Sequence, residues 1–84
     1  MKPIILTYHA AVERMLEHGL TRATVEHIVR EPLWREPDRR PGVERRFGPA
    51  PELGDKWVRV AVIEEAAHIR VLSAFPDRGA RPPP

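Results

Sequence analysis

Two strand-like runs separated by a short turn constrain the fold of this chain more than any other feature. Residues 57–63 and residues 68–75 are rich in the β-branched and aromatic side chains that favour strands. The four residues between them, 64–67, suffice for a turn. The pattern therefore predicts an antiparallel hairpin at the centre of the fold.

Pairing Ile63 with His68 sets the predicted register of this hairpin. Successive side chains of a strand point to opposite faces, so the register assigns each residue to one side of the sheet. One face would be almost entirely aliphatic, with Val62 opposite Ile69, Val60 opposite Val71 and Val58 opposite Ser73. The other face would pair Ala61 with Arg70, Arg59 with Leu72 and Trp57 with Ala74. An arginine buried without a partner is costly, so we expect the second face to meet water or an anionic ligand.

The segment before the hairpin has the pattern of two helices. The first, after Thr7, has a predicted apolar stripe made of Tyr8, Val12, Met15, Leu16 and Gly19. The second begins at Thr21 as its cap and ends at Pro32, and its predicted buried edge is made of Val25, Ile28 and Val29. Because the gap between the helices is very short, we expect an antiparallel helical hairpin.

The remaining apolar runs complete the expected set of strands. Residues 4–6 are typical of a short first strand, residues 43–47 of the strand before the hairpin, and residues 33–35 of a candidate edge segment. The resulting element order is β-α-α-β-β-β. We expect an α+β fold in which the two-helix hairpin packs on one face of a small antiparallel sheet.

The length of the chain, 84 residues, allows one hydrophobic core. We expect a single domain over residues 1–78 and a flexible, proline-rich C-terminal tail over residues 79–84 with nothing to pack against. A core of this size leaves little margin of stability, which makes a homodimer plausible without requiring one.

Composition excludes several kinds of chemistry. The chain has no cysteine, so disulfides, thiolate metal sites and a cysteine nucleophile are excluded. It shows neither an apolar run long enough to span a membrane nor a charged-then-apolar leader, so we expect a cytoplasmic protein without a membrane partner. Asparagine and glutamine are absent, and twelve of the fourteen lysine and arginine residues are arginine. A thermophilic host and a GC-rich genome explain this usage equally well.

A set of short motifs, in order along residues 4–78, carries a family resemblance. The motifs are His9-Ala10, Glu13-Arg14-Met15, Gly19-Leu20-Thr21, Pro41-Gly42, Arg59-Val60 and residues 69–76, with Val25 and Pro32 between them. In this order they resemble the RelE/ParE-like toxin superfamily, and more closely the small uncharacterised families near the BrnT-type toxins. The resemblance implies a toxin-antitoxin type of system, with RNA binding or metal-independent endoribonuclease activity and a cognate antitoxin as partner.

The same resemblance assigns a catalytic role to His9 and Arg14. In the family pattern the histidine precedes the arginine by four residues, which puts both on one helix face. Here His9 precedes Arg14 by five residues, which separates them by about 140° on a regular helix. Either the junction between strand and helix absorbs the extra residue, or this chain has lost the pairing. The superfamily also includes gyrase-binding members and inactive scaffolds, so the resemblance leaves enzymatic activity open.

Arginines supply the expected nucleic-acid-binding residues. Metal-independent ribonucleases hold the phosphate with arginines while negative charge builds on it. The candidates are Arg59 and Arg70 on the hairpin, Arg45 or Arg46 on the preceding strand, and Arg78 after the hairpin. Two alternatives stay open: a solvated face that only keeps the domain soluble, and a non-catalytic interaction module whose arginine face receives an acidic partner or a second copy of the chain.

No metal site and no cofactor are expected. His9, His18 and His27 are spaced nine residues apart, a spacing that does not converge on one helix face. Neither a phosphate-binding glycine loop nor a dinucleotide fingerprint is present. His68 is expected at the hairpin turn. Trp57 is expected either to stack on a base or to pack beneath the connection of residues 48–55, which contains Pro49 and Pro51.

Overall fold

Five strands and two helices make up the fold in a computed structural model, which describes residues 1–84 except for the side chains of His9 and Ala10. The strands are β1 (Ile4–Leu6), β2 (Trp34–Pro37), β3 (Glu44–Ala50), β4 (Lys56–Glu64) and β5 (Ile69–Pro76). The helices are α1 (Glu13–His18) and α2 (Arg22–Arg30), and the two short turns are a π-helical turn, Tyr8–Val12, and a 3-10 turn, Pro51–Leu53. The α+β class predicted from the sequence is confirmed.

The strands form one mixed sheet with the order β1-β5-β4-β3-β2. Strands β2 to β5 form an antiparallel meander. The candidate edge segment, predicted at residues 33–35, is the start of strand β2. At the other edge β1 runs parallel to β5, with Ile4 opposite Ile69. The prediction of four antiparallel strands is therefore wrong in strand number and in the direction of β1. Helices follow β1, so no local turn fixes the direction of the strand beside it.

The hairpin of β4 and β5 is confirmed, but in a different register. Val62 pairs with Val71, two positions from its predicted partner. A shift by two keeps side chains on their predicted faces. A bulge then makes Leu72 an extra residue on β5, so that Ala61 pairs with Ser73. This one-residue insertion moves Ser73 to the face opposite the predicted one, and its assignment to the core is wrong.

The helices cover one face of the sheet, which we call the helix face. Its centre is the predicted aliphatic row of β4, made of Val58, Val60 and Val62, and each of these side chains is fully buried. The predicted edge of α2 packs onto this row through Val25, Ile28 and Val29. The sidedness predicted for the central strand is therefore confirmed.

Helix α2 begins as predicted, with Thr21 accepting a hydrogen bond from the Thr24 N–H. Glu52, in the 3-10 turn, strengthens this start. Its carboxylate accepts the Thr21 N–H at 2.9 Å and the Thr24 hydroxyl at 2.7 Å. Desolvation alone would raise the pKa of Glu52, but these hydrogen bonds outweigh it and lower the pKa to about 2. The turn before β4 is thereby tied to the start of α2.

The first helical segment differs from its predicted stripe. The Glu13 N–H bonds to the carbonyl of Tyr8, five residues back, which defines the π-helical turn. The wider turn rotates the following residues away from the regular 3.6-residue spacing. Tyr8 and Leu16 are consequently 62% and 73% exposed instead of buried. Among the described side chains of this segment, Ala11 and Met15 face the core.

The opposite face of the sheet, which we call the open face, carries a small aromatic cluster. Phe47 stacks on Trp34 with ring centroids 4.7 Å apart, and Trp57 meets Trp34 edge-on at 5.1 Å. Ala80 packs onto this cluster and is 6% exposed. The expectation that residues 79–84 have nothing to pack against is therefore wrong at Ala80, whereas residues 81–84 are exposed.

Candidate nucleic-acid interface

A recess of about 450 Å³ lies in the open face beside Arg59. Ala61 and Ser73, which pair across β4 and β5, belong to its lining because the bulge turned Ser73 to this side. The residues around the recess are Asp38, Arg39, Arg40, Arg45, Arg59, Ala61, Ser73 and Phe75. Its volume is that of a cleft for a small ligand or for one unit of a polymer.

The ring of Phe75 brings two arginines from different elements together. The guanidinium carbon of Arg59, on β4, lies 4.6 Å from the ring centroid. That of Arg14, on α1, lies 5.4 Å from the same centroid. Both distances are within the range of cation-π attraction, which holds the two like charges near one another. The structure thus joins the helical arginine implied by the family resemblance to the arginine of the central strand.

Asp38 organises a second pair of arginines on the other side of the recess. Its carboxylate lies 3.1 Å from Nε of Arg40 and 3.0 Å from Nε of Arg45. It also accepts the backbone N–H of Arg40 at 3.0 Å. These contacts, with the Arg40 side chain contributing most, hold the pKa of Asp38 well below its usual range. One carboxylate shared by two guanidiniums leaves a surplus of positive charge.

The recess as a whole is short of acidic groups. Asp77 lies 3.6 Å from Nε of Arg59. Asp38 forms ion pairs with both Arg40 and Arg45. Arg39 forms no ion pair with any carboxylate among the described side chains. Among the described side chains, the recess and its margin hold two aspartates and five arginines, namely Arg14, Arg39, Arg40, Arg45 and Arg59. Such a cluster attracts an anion, because a phosphate would relieve the repulsion among the guanidiniums.

Arg46, a predicted member of the basic surface, lies on the helix face and is 3% exposed. It donates to Glu44 and to Glu64, each at 2.7 Å, and to the carbonyl of Val29 at 2.8 Å. Burial would lower the pKa of Arg46, but its hydrogen bonds to the two glutamates outweigh this and raise it. Of the alternatives Arg45 and Arg46, the alternation of β3 brings only Arg45 to the open face.

Arg70 and Arg78 lie away from the recess. Arg70 pairs across the hairpin with Ile63, four residues from Arg59 along β4, which is a separation of about 13 Å. Arg70 shares the face of Arg59, as predicted. The prediction that the two side chains lie together is wrong, because the register separates them along the strands. The Nε of Arg70 is 3.2 Å from Glu65 without the geometry of a hydrogen bond. Arg78 is exposed after the end of β5.

The histidines are dispersed over the molecule. The side chain of His9 lies outside the described residues, although the π-helical turn inserts one residue into the helix between His9 and Arg14. His27 lies 3.6 Å from Glu31 on α2, and His68 lies 3.0 Å from Glu65 at the hairpin turn. The described side chains include no histidine in the recess. They also include no group of three or more histidine or acidic residues suited to a metal ion.

Sequence reasoning missed the loop that closes one side of the recess. Asp38, Arg39 and Arg40 stand between the predicted segments 33–35 and 43–47 and belong to no predicted element. They form the connection between β2 and β3, where the Val43 carbonyl accepts the Asp38 N–H at 3.0 Å. The available signal was the Asp-Arg-Arg cluster before Pro41-Gly42, a typical turn sequence.

No protein-family model, curated protein or solved structure matches this chain. The described part of the chain also contains no helix long and apolar enough to cross a membrane.

Proposed function

We propose that the recess lined by Arg39, Arg40, Arg45 and Arg59, which we call the arginine recess, binds the phosphate backbone of single-stranded RNA. The observation that carries the proposal is the meeting of Arg14 and Arg59 at Phe75, within a recess where arginines outnumber aspartates. Guanidinium groups form paired, charge-assisted hydrogen bonds with phosphate oxygens. The Phe75 ring holds these two guanidiniums together before a ligand binds.

The shape of the recess favours a single strand over a duplex. A volume of about 450 Å³ accommodates one nucleotide unit and not the convex surface of a double helix. Proteins that bind single strands commonly combine a positively charged groove with aromatic side chains. The pairing of Arg45 with Asp38 and of Arg59 with Asp77 keeps these two arginines oriented before a ligand arrives.

Kinship with the RelE/ParE-like toxins, and an antitoxin as partner, form part of the same proposal. The kinship rests on the order of the motifs along residues 4–78 and on two helices that follow the first strand. Cleavage requires a group that takes up a proton, and His9 is the residue that the resemblance offers for it. RNA binding is the part of the proposal that the recess itself supports.

A charge-reversal pair tests the proposal. Arg14→Glu combined with Arg39→Glu changes two arginines that form no ion pair with a described carboxylate, so the fold should tolerate the change. The matched control, Arg30→Glu combined with Arg81→Glu, removes the same charge outside the recess. Fluorescence anisotropy with a labelled unstructured RNA at low salt should show a loss of affinity on the order of a hundredfold for the first variant only.

Two outcomes would contradict the proposal. If wild-type protein fails to bind RNA at low salt, the recess has another ligand. If both double variants lose affinity equally, only overall charge matters. The integrity of the RNA after incubation, with and without a chelator, reports separately whether the chain cleaves what it binds.

A second candidate is an acidic protein segment that docks on the same arginines. It is favoured by the carboxylates of Asp38 and Asp77, which already bind Arg45 and Arg59 within the chain. A second copy of the chain would give a molecular mass that rises with protein concentration. Sedimentation over a wide concentration range distinguishes this from RNA binding, which instead falls steeply with salt.

A further inference from the structure

The cations without an acidic partner are unevenly distributed over the surface. Among the described residues, eight of the fourteen lysine and arginine side chains form ion pairs with carboxylates. Arg14 and Arg39, which form none, belong to the arginine recess and its margin. Lys56 and Arg78 also form none, and they meet in a second recess. Four of the six cations without an ion pair among the described residues therefore lie at two recesses, whereas Arg30 and Arg81 line neither.

The second recess lies at the end of the sheet where β4 begins and β5 ends. It has a volume of about 470 Å³ and is lined by His18, Lys56, Trp57, Pro76, Asp77 and Arg78. Trp57 is half-buried, and its packing against Trp34 orients its ring. The recess thus combines an oriented indole with two cations and one histidine. Its single described acid, Asp77, is already engaged with Arg59.

The two recesses share a boundary. Asp77 lines the second recess, while its carboxylate lies 3.6 Å from Arg59, which lines the first. Phe75 lines the first recess and Pro76, the next residue, lines the second. A strand of nucleic acid leaving the arginine recess along the end of β5 would pass directly into the second one.

We infer that the second recess is a subsite for the adjacent nucleotide of the bound RNA. Lys56 and Arg78 bind its phosphate, and its base packs on Trp57 and Pro76. Asp77 stands between the subsites, where its negative charge lies beside the path of the strand. The inference rests on the proposed RNA binding and adds a direction to it, from Phe75 toward the last turn of α1.

The test compares two ligands and two double variants. The variant is Lys56→Met with Arg78→Met, and the control, Arg30→Met with Arg81→Met, removes two unpaired cations that line neither recess. The long ligand is an oligouridylate of about eight nucleotides, and the short ligand is uridine 3′,5′-bisphosphate, which fits one recess. We expect the variant to lose on the order of tenfold in affinity for the long ligand. Affinity for the short ligand should stay unchanged.

Salt dependence provides a second measurement on the same proteins. Each phosphate contact to a single strand contributes about 0.7 to the slope of log affinity against log salt. Because Lys56 and Arg78 bind the same phosphate, the double variant should show a slope reduced by about 0.7 relative to the control. A slope and an affinity equal to those of the control would overturn the second subsite.

Asp77→Asn provides a variant whose expected effect has the opposite sign. The amide oxygen keeps an acceptor for the Gly79 N–H, which Asp77 now binds at 2.9 Å. Removing the charge releases Arg59 and ends the repulsion of the passing phosphate. Affinity for the oligouridylate should rise several-fold, and an unchanged or weaker affinity would contradict the path along Asp77.

The failure of this inference is distinguishable from the failure of the proposed function. If Arg14→Glu with Arg39→Glu abolishes binding while Lys56→Met with Arg78→Met matches its control, the first recess binds RNA and the second does not. If the wild-type chain binds neither ligand, both proposals fall. Circular dichroism of each variant verifies that a loss of binding is not a loss of fold.

Discussion

Neighbouring arginines on β3 show how differently the two faces of the sheet use the same side chain. Arg46, on the helix face, donates to Glu44, to Glu64 and to the carbonyl of Val29. Arg45, on the open face, shares Asp38 with Arg40. Burial forces the first arginine to satisfy its donors inside the fold. The second retains donors that a ligand can use.

The Val29 carbonyl explains why an arginine is tolerated on the helix face at all. It belongs to the last turn of α2, whose carbonyls lack partners within the helix. Arg46 supplies a donor and a positive charge at this negative end of the helix dipole. The helix face therefore uses its charge to hold the fold, whereas the open face presents charge to solvent.

The largest expected effect comes from Arg46→Met compared with Arg45→Met. The first removes the partner of the α2 carbonyl and should lower the free energy of unfolding by about 3 kcal/mol, since removing one member of a buried ion pair is strongly destabilising. The second should cost less than about 1 kcal/mol because it affects an open-face pair. Urea denaturation measures both. Equal losses of unfolding free energy for the two variants would contradict the difference between the two faces.

A smaller effect is expected from adding a side chain where α2 packs closely on Gly48. A Cβ added at Gly48 would lie 2.9 Å from Cγ1 of Ile28. Gly48→Ala should therefore cost about 2 kcal/mol through overpacking. Gly79→Ala, near the C-terminal segment, would place its Cβ at 3.4 Å from the Asp77 carboxylate and should cost less than about 0.5 kcal/mol. Thermal unfolding measures the stability of both variants. A larger loss of stability for Gly79→Ala than for Gly48→Ala would contradict this expectation.

The smallest expected effect concerns acid sensitivity on the helix side. The pKa of Glu52 is about 2 in the folded chain against an ordinary value of 4.5. Its carboxylate therefore stabilises the fold above pH 4.5, and this contribution is lost as the pH falls toward 2. Glu52→Gln should be less stable than wild type at neutral pH, with a difference that shrinks across this window. Denaturation midpoints that keep a constant difference from pH 6 to pH 2 would contradict the role of Glu52.

Local patterns predicted the elements that pack densely on the helix face. The β-branched runs of β4 and β5, the Thr21 cap and the Val25, Ile28 and Val29 edge of α2 all have the positions expected of them. Each depends on residues close in sequence, through strand alternation or helical spacing. In α1 the same reasoning failed, because the π-helical turn broke the regular spacing and left Tyr8 and Leu16 exposed.

Contacts between distant segments escaped that reasoning. The parallel pairing of β1 with β5, the bulge at Leu72 and the packing of Ala80 on the aromatic cluster each depend on residues far apart in the chain. The approach of Arg14 to Phe75 is of the same kind, since α1 and β5 are separated by most of the sequence.

The sequence by itself determined the α+β class, the central hairpin and the side of β4 that must be covered, because the alternation of side chains is a property of each strand alone. Tertiary structure alone decided which arginines meet. Arg46 binds the carbonyl of Val29 at the end of α2, Arg70 lies far from Arg59, and Arg14 lies against the Phe75 ring. The reason is that strand register, bulges and helix ends are fixed by packing between elements, and a shift of one residue moves a charged side chain to the opposite face.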